Sequence, residues 1–373
     1  MIAATYQIIL KLNGQTLGDI RTIAQDFNWS RYRTNQGVDS IEFTINDKLL
    51  ERWCADRQIQ PGDILKPIAL EATITRNGEA VAGGFLATMP AYKPNAASAN
   101  LELRFDGYIN LLAGVILPPA AQTTKRADQF VTGWITEANT RSANAGKGYN
   151  FTQGTIKTLG NVQRTYENYK TIKEAILQMT DNVDGAGQFD VIFNPDKSYD
   201  ITDSLGRDIT DWSLYYPPRD GGQSAATISA PEIQGFASSI LTLGAGEVSS
   251  DPAKTTVITK QSTNAAAVAE FGYYEAMTQY SSVTQQTTLN QHNATDLANA
   301  IKVQWEPQIT LLGIQTPPSP TAAFGLWLGD RIRLINTADV TGMTSGLFRI
   351  NALRVEVSSN GAETITPTME RAA

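Results

Sequence analysis

The chain has 373 residues, a net charge of −7 and a sequence pI of about 5.0, and 42% of its residues are hydrophobic. This length allows roughly two to four domains, and the hydrophobic share is that of an ordinary folded protein. The acidic balance argues against binding of nucleic acid through its phosphates, which needs clustered Lys and Arg, and the densest basic stretches (31–33 and 125–126) are short. We also expect no signal peptide and no membrane-spanning helix, because no basic segment precedes an apolar run and no apolar run approaches ~18 residues.

Short runs of alternating apolar and polar residues dominate the first part of the chain, as in 41–45 and 101–105. Asn13-Gly14 and Asn77-Gly78 each separate two such runs, and Asn-Gly is a strong hairpin-turn signal. The pattern predicts an antiparallel barrel or sandwich over residues 1–117.

In the middle of the chain, the spacing of apolar residues changes from the alternation of strands to the spacing of helices. Residues 128–138 are interpreted as one helix, residues 171–179 have the apolar spacing of a second, and Thr171 and Glu174 have the spacing of a capping box. Two apolar runs, 189–193 and 199–201, then predict a hairpin. We therefore predict one or more inserted α+β domains over residues 118–245.

Residues 246–373 are predicted to hold a helix from Asp296 through Trp305, ended by Pro307, and then a return to strands. The last strands are expected at 328–334, 346–350, 353–357 and 363–369.

A Gly-Asp pair begins the final set of strands at Gly329-Asp330, and another at Gly62-Asp63 is expected to open a strand near the N-terminus. Similar spacings follow both pairs, which favours one small barrel used twice. The predicted fold class is mainly β with an α+β insertion: two antiparallel β-barrels plus small α+β domains.

Side chains suited to catalysis or metal binding are sparse. His292 is the only histidine and Cys54 the only cysteine, so neither a zinc site nor a Ser-His-Asp triad is favoured. We interpret His292 as a solvated loop residue and Cys54 as an inert buried thiol. Residues 181–187 fail the spacing of an EF-hand loop and are interpreted as a helix end and turn.

Two acidic tetrads, 200–203 and 208–211, are interpreted as opposite arms of a hairpin rather than as a glycosidase pair. No phosphate-binding glycine motif is present in the sequence. We therefore assign no catalytic, cofactor-binding or metal-binding residue and expect no cofactor and no enzymatic activity.

Several segments together resemble one family. Residues 101–112, which end in Gly-Tyr-Ile-Asn-Leu-Leu, are similar to the exit from the N-terminal barrel of phage tail hub proteins. Residues 169–176 resemble the helix of their insertion, and residues 271–275 resemble a segment that precedes a helix. With the closing strands from Leu328 onward, the order resembles the baseplate hubs of contractile phage tails and the tail-associated hubs of siphophages.

The resemblance implies a homotrimer at the tip of a virion tail, assembled in the host cytoplasm. Each subunit would contribute two tail-tube-like barrels, and the six barrels of three subunits would form a quasi-sixfold ring that joins the distal tail or tail-tube proteins to a threefold tip. DNA and the tape-measure protein would pass through its lumen without specific binding. Since the chain ends at Ala373, we expect receptor binding or wall digestion to belong to separate tail fibre or tip proteins.

Two alternatives stay open at this point. One is a hexameric distal tail protein, which the second Gly-Asp segment argues against. The other is a carbohydrate-binding or carbohydrate-active β protein, for which the aromatic residues of segment 212–216 are the best candidates. Aromatic clusters of this kind more often pack a domain junction.

Overall fold

The computed structural model describes residues 4–90, 99–166, 169–180, 189–216, 227–228, 236–246, 256–281, 283–301, 309–312, 326–336 and 346–371. The strands are, in chain order, β1 (Tyr6–Leu12), β2 (Gln15–Asp19), β3 (Ala24–Tyr32), β4 (Ser40–Asn46), β5 (Leu70–Arg76), β6 (Glu79–Leu86), β7 (Asn100–Asp106), β8 (Ile116–Leu117), β9 (Ala120–Arg126), β10 (Thr152–Ile156), β11 (Asn161–Tyr166), β12 (Lys170–Thr171), β13 (Asp190–Phe193), β14 (Ser198–Thr202), β15 (Asp208–Tyr216), β16 (Thr227–Ile228), β17 (Ser239–Leu243), β18 (Thr259–Thr263), β19 (Glu275–Gln279), β20 (Ile309–Leu312), β21 (Arg331–Asn336), β22 (Gly346–Val357) and β23 (Glu363–Arg371). The helices are α1 (Asp47–Ala55), α2 (Pro61–Ile64), α3 (Ala127–Asn144), α4 (Ile172–Thr180), α5 (Ala265–Phe271) and α6 (Gln286–Ile301), with a 3-10 helix at Tyr108–Gly114.

The chain forms two compact units. The first comprises Met1–Ser229 together with Pro307–Ala373, and the second comprises Ala230–Glu306. The division into segments 1–117, 118–245 and 246–373 stays a prediction about domains.

The first unit is organised around one large sheet. Its strand order is β16-β20-β23-β22-β3-β4-β7-β6-β5-β1-β2, and β21 joins β22 to β15. The N-terminal and C-terminal strands meet where β3 pairs antiparallel with β22, with Trp29 opposite Val355. The mainly β fold is therefore confirmed. Among the described strands the hydrogen-bonded path stays open, so the two closed barrels remain a prediction.

Both Asn-Gly hairpins are confirmed. Asn13 and Gly14 have φ values of 50° and 81°, and Asn77 and Gly78 have φ values of 51° and 85°. Positive φ at both central residues is the conformation of a type I′ turn, whose twist matches that of the strands it joins. These turns produce the β1–β2 and β5–β6 hairpins.

A glycine lets β6 pass from one neighbour to the other. This strand pairs with β5 along most of its length but with β7 only through Phe85 and Leu86. A Cβ atom on Gly84 would lie 2.5 Å from the carbonyl oxygen of Asp106, which is closer than van der Waals contact allows. Only glycine permits this approach of two backbones.

The C-terminal strands are close to the prediction, with two corrections. Gly329-Asp330 directly precedes β21, but Gly62-Asp63 lies in helix α2, where Pro61 occupies the first helical turn. The expectation that Gly62 opens a strand was wrong, which removes one matched point from the proposed repeat. The segments 346–350 and 353–357, predicted as two strands, form the single strand β22.

The predicted insertion has its own hydrophobic core, in which α3 and α4 pack with the 3-10 helix and the β13–β14 hairpin. Both predicted helices are confirmed. Thr171 N donates to Glu174 Oε2 at 2.8 Å and Glu174 N donates to Thr171 Oγ1 at 3.1 Å, so the capping box forms. The predicted hairpin is confirmed as β13 and β14.

The second unit consists of the sheet β18-β17-β19 with helices α5 and α6. Helix α6 begins at Gln286, ahead of the predicted start at Asp296, and the expected stop at Pro307 lies outside the described residues. The prediction from hydrophobic spacing missed the N-terminal part of α6 because a polar residue, Asn293, is buried there. Its Nδ2 donates to the carbonyl of Ile240 at 3.0 Å and to Thr242 Oγ1 at 2.9 Å. The segment 271–275 ends α5 and leads into β19, so it directly precedes a strand rather than a helix.

Candidate functional site: a buried ion-pair junction

Two buried arginines lie at the end of β3, where the chain passes to β4. Arg31 is 2% exposed, and its Nε lies 2.6 Å from Asp39 Oδ2. Its Nη2 donates to the carbonyl of Phe193 at 2.9 Å, at the end of β13. Burial raises the pKa of the Asp39 carboxyl, and the charge of Arg31 opposes that effect. Arg31 therefore links the large sheet to the insertion through the Phe193 carbonyl, while Asp39 balances its buried charge.

Arg33 contacts both the insertion and the C-terminal strands. Its Nη2 and Nε donate to Asp190 Oδ2 at 2.9 and 3.1 Å, and the two side chains are 6% and 4% exposed. Its Nη1 donates to Asn351 Oδ1 at 3.1 Å and to Glu370 Oε1 at 3.3 Å. One guanidinium group thus holds β13, β22 and β23 together, because its donors form a rigid planar fork.

The next two residues extend this contact. Thr34 Oγ1 donates to the carbonyl of Val191 at 3.1 Å and accepts from Val191 N at 2.7 Å. Asn35 has a φ of 67°, and its Nδ2 donates to the carbonyl of Leu177 in α4 at 2.9 Å. The β3–β4 connection therefore binds the backbone of two elements of the insertion.

The turn of the β13–β14 hairpin makes a second contact, on β5 and β6. Lys197 Nζ lies 2.5 Å from Glu71 Oε1, and Tyr108 Oη donates to Glu71 Oε2 at 3.3 Å. Burial raises the pKa of Tyr108 well above its usual value, and the charge of Glu71 adds to the shift. A Cβ atom on Gly83 would lie 2.7 Å from Pro195 Cα, so the turn sits directly on the strand backbone.

We call these three ion pairs the junction; its members are Arg31, Asp39, Arg33, Asp190, Glu71 and Lys197. Buried ion pairs contribute little net stability because desolvation offsets their attraction, but a mispaired arrangement is strongly penalised. The junction therefore favours one orientation of the insertion against the sheet. A cavity of about 260 Å³ lies beside it, lined in part by Tyr32, Val38, Ile109 and Leu177. Each carboxylate of the junction is already held by a cation, an arrangement that suits fixed geometry rather than proton transfer.

The sequence analysis missed the junction, although its residues were visible. The segment 31–33 was considered only as a basic stretch too short for nucleic acid. Two arginines on either side of an aromatic residue, as at 31–33, are a signal for desolvated ion pairs, but their acidic partners lie 8 to 337 residues away in sequence.

The two single-copy residues of the chain lie apart from the junction. Cys54 is fully buried, as predicted, and burial raises the pKa of its thiol. His292 was wrongly interpreted as a solvated loop residue: it lies within α6, is 9% exposed, and stacks on Tyr280 with ring centroids 4.1 Å apart. Stacking in the helix–sheet core explains its burial.

The acidic tetrads do not form a hairpin. β14 pairs with β10 and β13, whereas β15 pairs in parallel with β21, so Asp200 and Asp208 belong to different sheets. Asp208 lies 2.5 Å from Arg331, and Asp203 lies 3.9 Å from Lys157. The side chains of the predicted aromatic candidate at 212 and of residues 181–187 lie outside what the structure describes.

Within the described ranges no cluster of three or more His, Cys, Asp or Glu side chains could hold a metal ion. In the same part of the chain, no helix has the length and apolar character needed to span a membrane.

No family model and no curated protein matches the chain in sequence. Solved structures with a similar fold are tail proteins. The 43 kDa tail protein of prophage MuSo2 from Shewanella oneidensis has a TM-score of 0.66 and 12% identity, with 98% of each chain covered. A tail protein from Neisseria meningitidis MC58 has a TM-score of 0.60 and 12% identity, over 98% of this chain and 96% of that one.

Prophage tail protein gp18 from Listeria monocytogenes EGD-e has a TM-score of 0.52 and 13% identity, over 98% of this chain and 95% of that one. The predicted resemblance to phage tail proteins is therefore confirmed at the level of the fold, along nearly the whole chain.

Proposed function

We propose that the chain is a structural protein of a phage tail tip. It forms a trimeric hub ring that adapts the sixfold tail tube to a threefold tip and lines the channel for DNA. The observation that carries this proposal is the similarity of its complete fold to those of prophage tail proteins. Its partners are other copies of itself, the distal tail or tube proteins, the tape-measure protein and the fibre or tip proteins.

The pairing of β3 with β22 supports a ring made of repeated halves. Six residue pairs, from Phe27–Val357 to Tyr32–Ala352, join an N-terminal set of strands to a C-terminal set within one chain. Each copy thus presents two β-rich halves side by side. Three copies supply six halves, so a sixfold neighbour meets a similar surface at every step of 60°.

The junction supports a structural rather than a catalytic role. Two ion pairs, Arg33–Asp190 and Lys197–Glu71, and the hydrogen bond from Arg31 to the carbonyl of Phe193 fix the insertion relative to the sheet. A ring component benefits from such rigidity because small rotations of a subunit accumulate around a closed ring. We assign no catalytic activity and no cofactor to the chain.

The proposal is tested by the mass of the purified chain in solution, measured by light scattering, followed by negative-stain imaging alone and with tail-tube protein. A trimer that appears as a ring with six lobes is the expected result. A hexamer would move the assignment to a distal tail protein. A monomer that ignores the tube protein and binds cell-wall glycans would overturn the proposal in favour of a carbohydrate-binding protein.

A further inference from the structure

A row of arginines lies on one face of the C-terminal strands. Ile332 and Phe348 form a cross-strand pair and are buried, so the alternate residues of β21 and β22 lie on the opposite face. Those residues are Arg331, Arg333 and Arg349, which we call the arginine row. Arg331 stands directly opposite Arg349 in the antiparallel register. Two like charges in this position repel each other.

The neighbouring acids neutralise only part of this charge. Asp208 pairs with Arg331 at 2.5 Å, and Glu370, which is opposite Arg349 in register, is engaged by Arg33 at 3.3 Å. Within the described part of the chain, the side chains of Arg333 and Arg349 have no hydrogen bond and no ion pair, and Arg349 Nε is buried.

Burial lowers the pKa of Arg349, and the charges of Arg33 and Arg331 lower it further. An incoming carboxylate would offset this repulsion, and Arg333, which is exposed, is the member of the row that it can reach.

A second exposed feature has the complementary chemistry. Four of the exposed large apolar side chains fall within seven positions, with exposures of 53% to 64%: Phe271, Tyr273, Tyr274 and Met277. Glu270 directly precedes them, Glu275 lies among them, and both are also exposed. The sequence contains no Lys or Arg from position 261 to position 301. We call residues 270–277 the acidic aromatic segment.

The chemistry of the two features is matched. Carboxylates accept two parallel hydrogen bonds from a guanidinium group, and tyrosine rings stack on its flat face. Leu347, 38% exposed and opposite Arg333 in register, adds an apolar contact to the row. Tyr, Phe, Met and Arg are the residues enriched in protein interfaces. Two acidic aromatic segments would repel each other, since their only charges are negative.

We propose that the acidic aromatic segment of one copy docks on the arginine row of a second copy. The contact joins two different surfaces, so it is heterologous, and a contact of this kind forms a ring when the rotation between successive copies closes, as the proposed trimer requires. This inference rests on the proposed function, because it supplies the contact that holds the ring together.

Charge exchange in the full-length chain tests the contact. Arg333→Glu and Glu270→Lys are each expected to raise the dissociation constant for self-association about tenfold or more, measured by light scattering over a dilution series. The double variant carries both reversals and should return to within about threefold of the natural chain, because opposite charges again meet. Both positions are exposed, and unchanged urea midpoints would show that the variants fold.

Arg354→Glu is the matched control. Arg354 is an exposed arginine of the same strand as Arg349, but it pairs with Glu356 at 3.1 Å and lies outside the row. Its substitution should leave self-association within about threefold. The inference is overturned by an Arg333→Glu variant that associates normally, by a control that fails equally, or by a double variant without rescue.

A natural chain that stays monomeric at millimolar concentration, yet forms rings on tail-tube protein, would also overturn this contact while leaving the proposed function intact.

Discussion

Removal of the Asp190 carboxylate is the most direct perturbation of the junction. Asp190 Oδ2 accepts two hydrogen bonds from Arg33, at 2.9 and 3.1 Å, and its Oδ1 accepts one from Thr34 N at 3.2 Å. The side chains of the ion pair are 6% and 4% exposed, so water cannot readily replace these contacts. Asp190→Ala therefore leaves a buried positive charge that has lost two of its four side-chain hydrogen bonds.

The expected cost follows from that geometry. Removing one partner of a buried ion pair costs about 3–5 kcal/mol, mostly because the other charge stays desolvated. Glu370 remains 3.3 Å from Arg33 and is 29% exposed, so it compensates part of the charge. We therefore expect a loss of about 3 kcal/mol in the free energy of unfolding, at the lower end of that range.

Urea unfolding of the natural and variant chains, with amide hydrogen exchange in β13 and α4, measures this loss. Asp203→Ala is the matched control: this aspartate lies 3.9 Å from Lys157, both side chains are about half exposed, and the expected cost is about 0–1 kcal/mol. The double variant Arg33→Met/Asp190→Leu should be more stable than Asp190→Ala, because no unpaired charge remains. If Asp190→Ala costs no more than Asp203→Ala, the argument that the junction is desolvated is refuted.

Three further predictions concern the described fold. Burial opposes ionisation of the Asp128 carboxyl, but hydrogen bonds from Arg126 outweigh this effect and keep the pKa of the carboxyl below its usual value of 3.8. The contribution of Asp128 to the free energy of unfolding is therefore present above pH 3.8 and is lost as the pH falls through the folded pKa. Asp128→Asn should therefore destabilise the chain at neutral pH and match it in acid, as measured by urea unfolding across pH. Gly84→Ala should cost about 1–3 kcal/mol by backbone clash, whereas Gly62→Ala, with open space at its Cβ, should stay within about 0.5 kcal/mol in the same assay. Cys54 should resist iodoacetamide in the native chain and react in urea, and rapid native labelling would contradict its burial.

Local signals in the sequence were sufficient for elements whose stability is local. Both Asn-Gly turns need only two residues with positive φ, and the cap of α4 needs only Thr171 and Glu174, so adjacent residues specify them. The apolar stripe of α4 and the alternation of β4 and β7 likewise report which side faces a core. The N-terminal half of α6 lacked such a stripe, because two of its three buried side chains, Asn293 and the stacked His292, are polar and only Leu289 is apolar.

By itself, the sequence determined the mainly β character, the helices of the insertion, the buried thiol and the order of segments that resembles phage tail hubs. The tertiary structure decided how these parts are joined. Arg33 meets Asp190 across 157 residues of chain, and β3 meets β22 across more than 300. No local pattern encodes these pairings, because shape and charge select the partners only when distant parts of the chain come together during folding. The same physics governs the arginine row: alternation places Arg331 and Arg349 on one face, but only the strand register makes these two like charges direct neighbours.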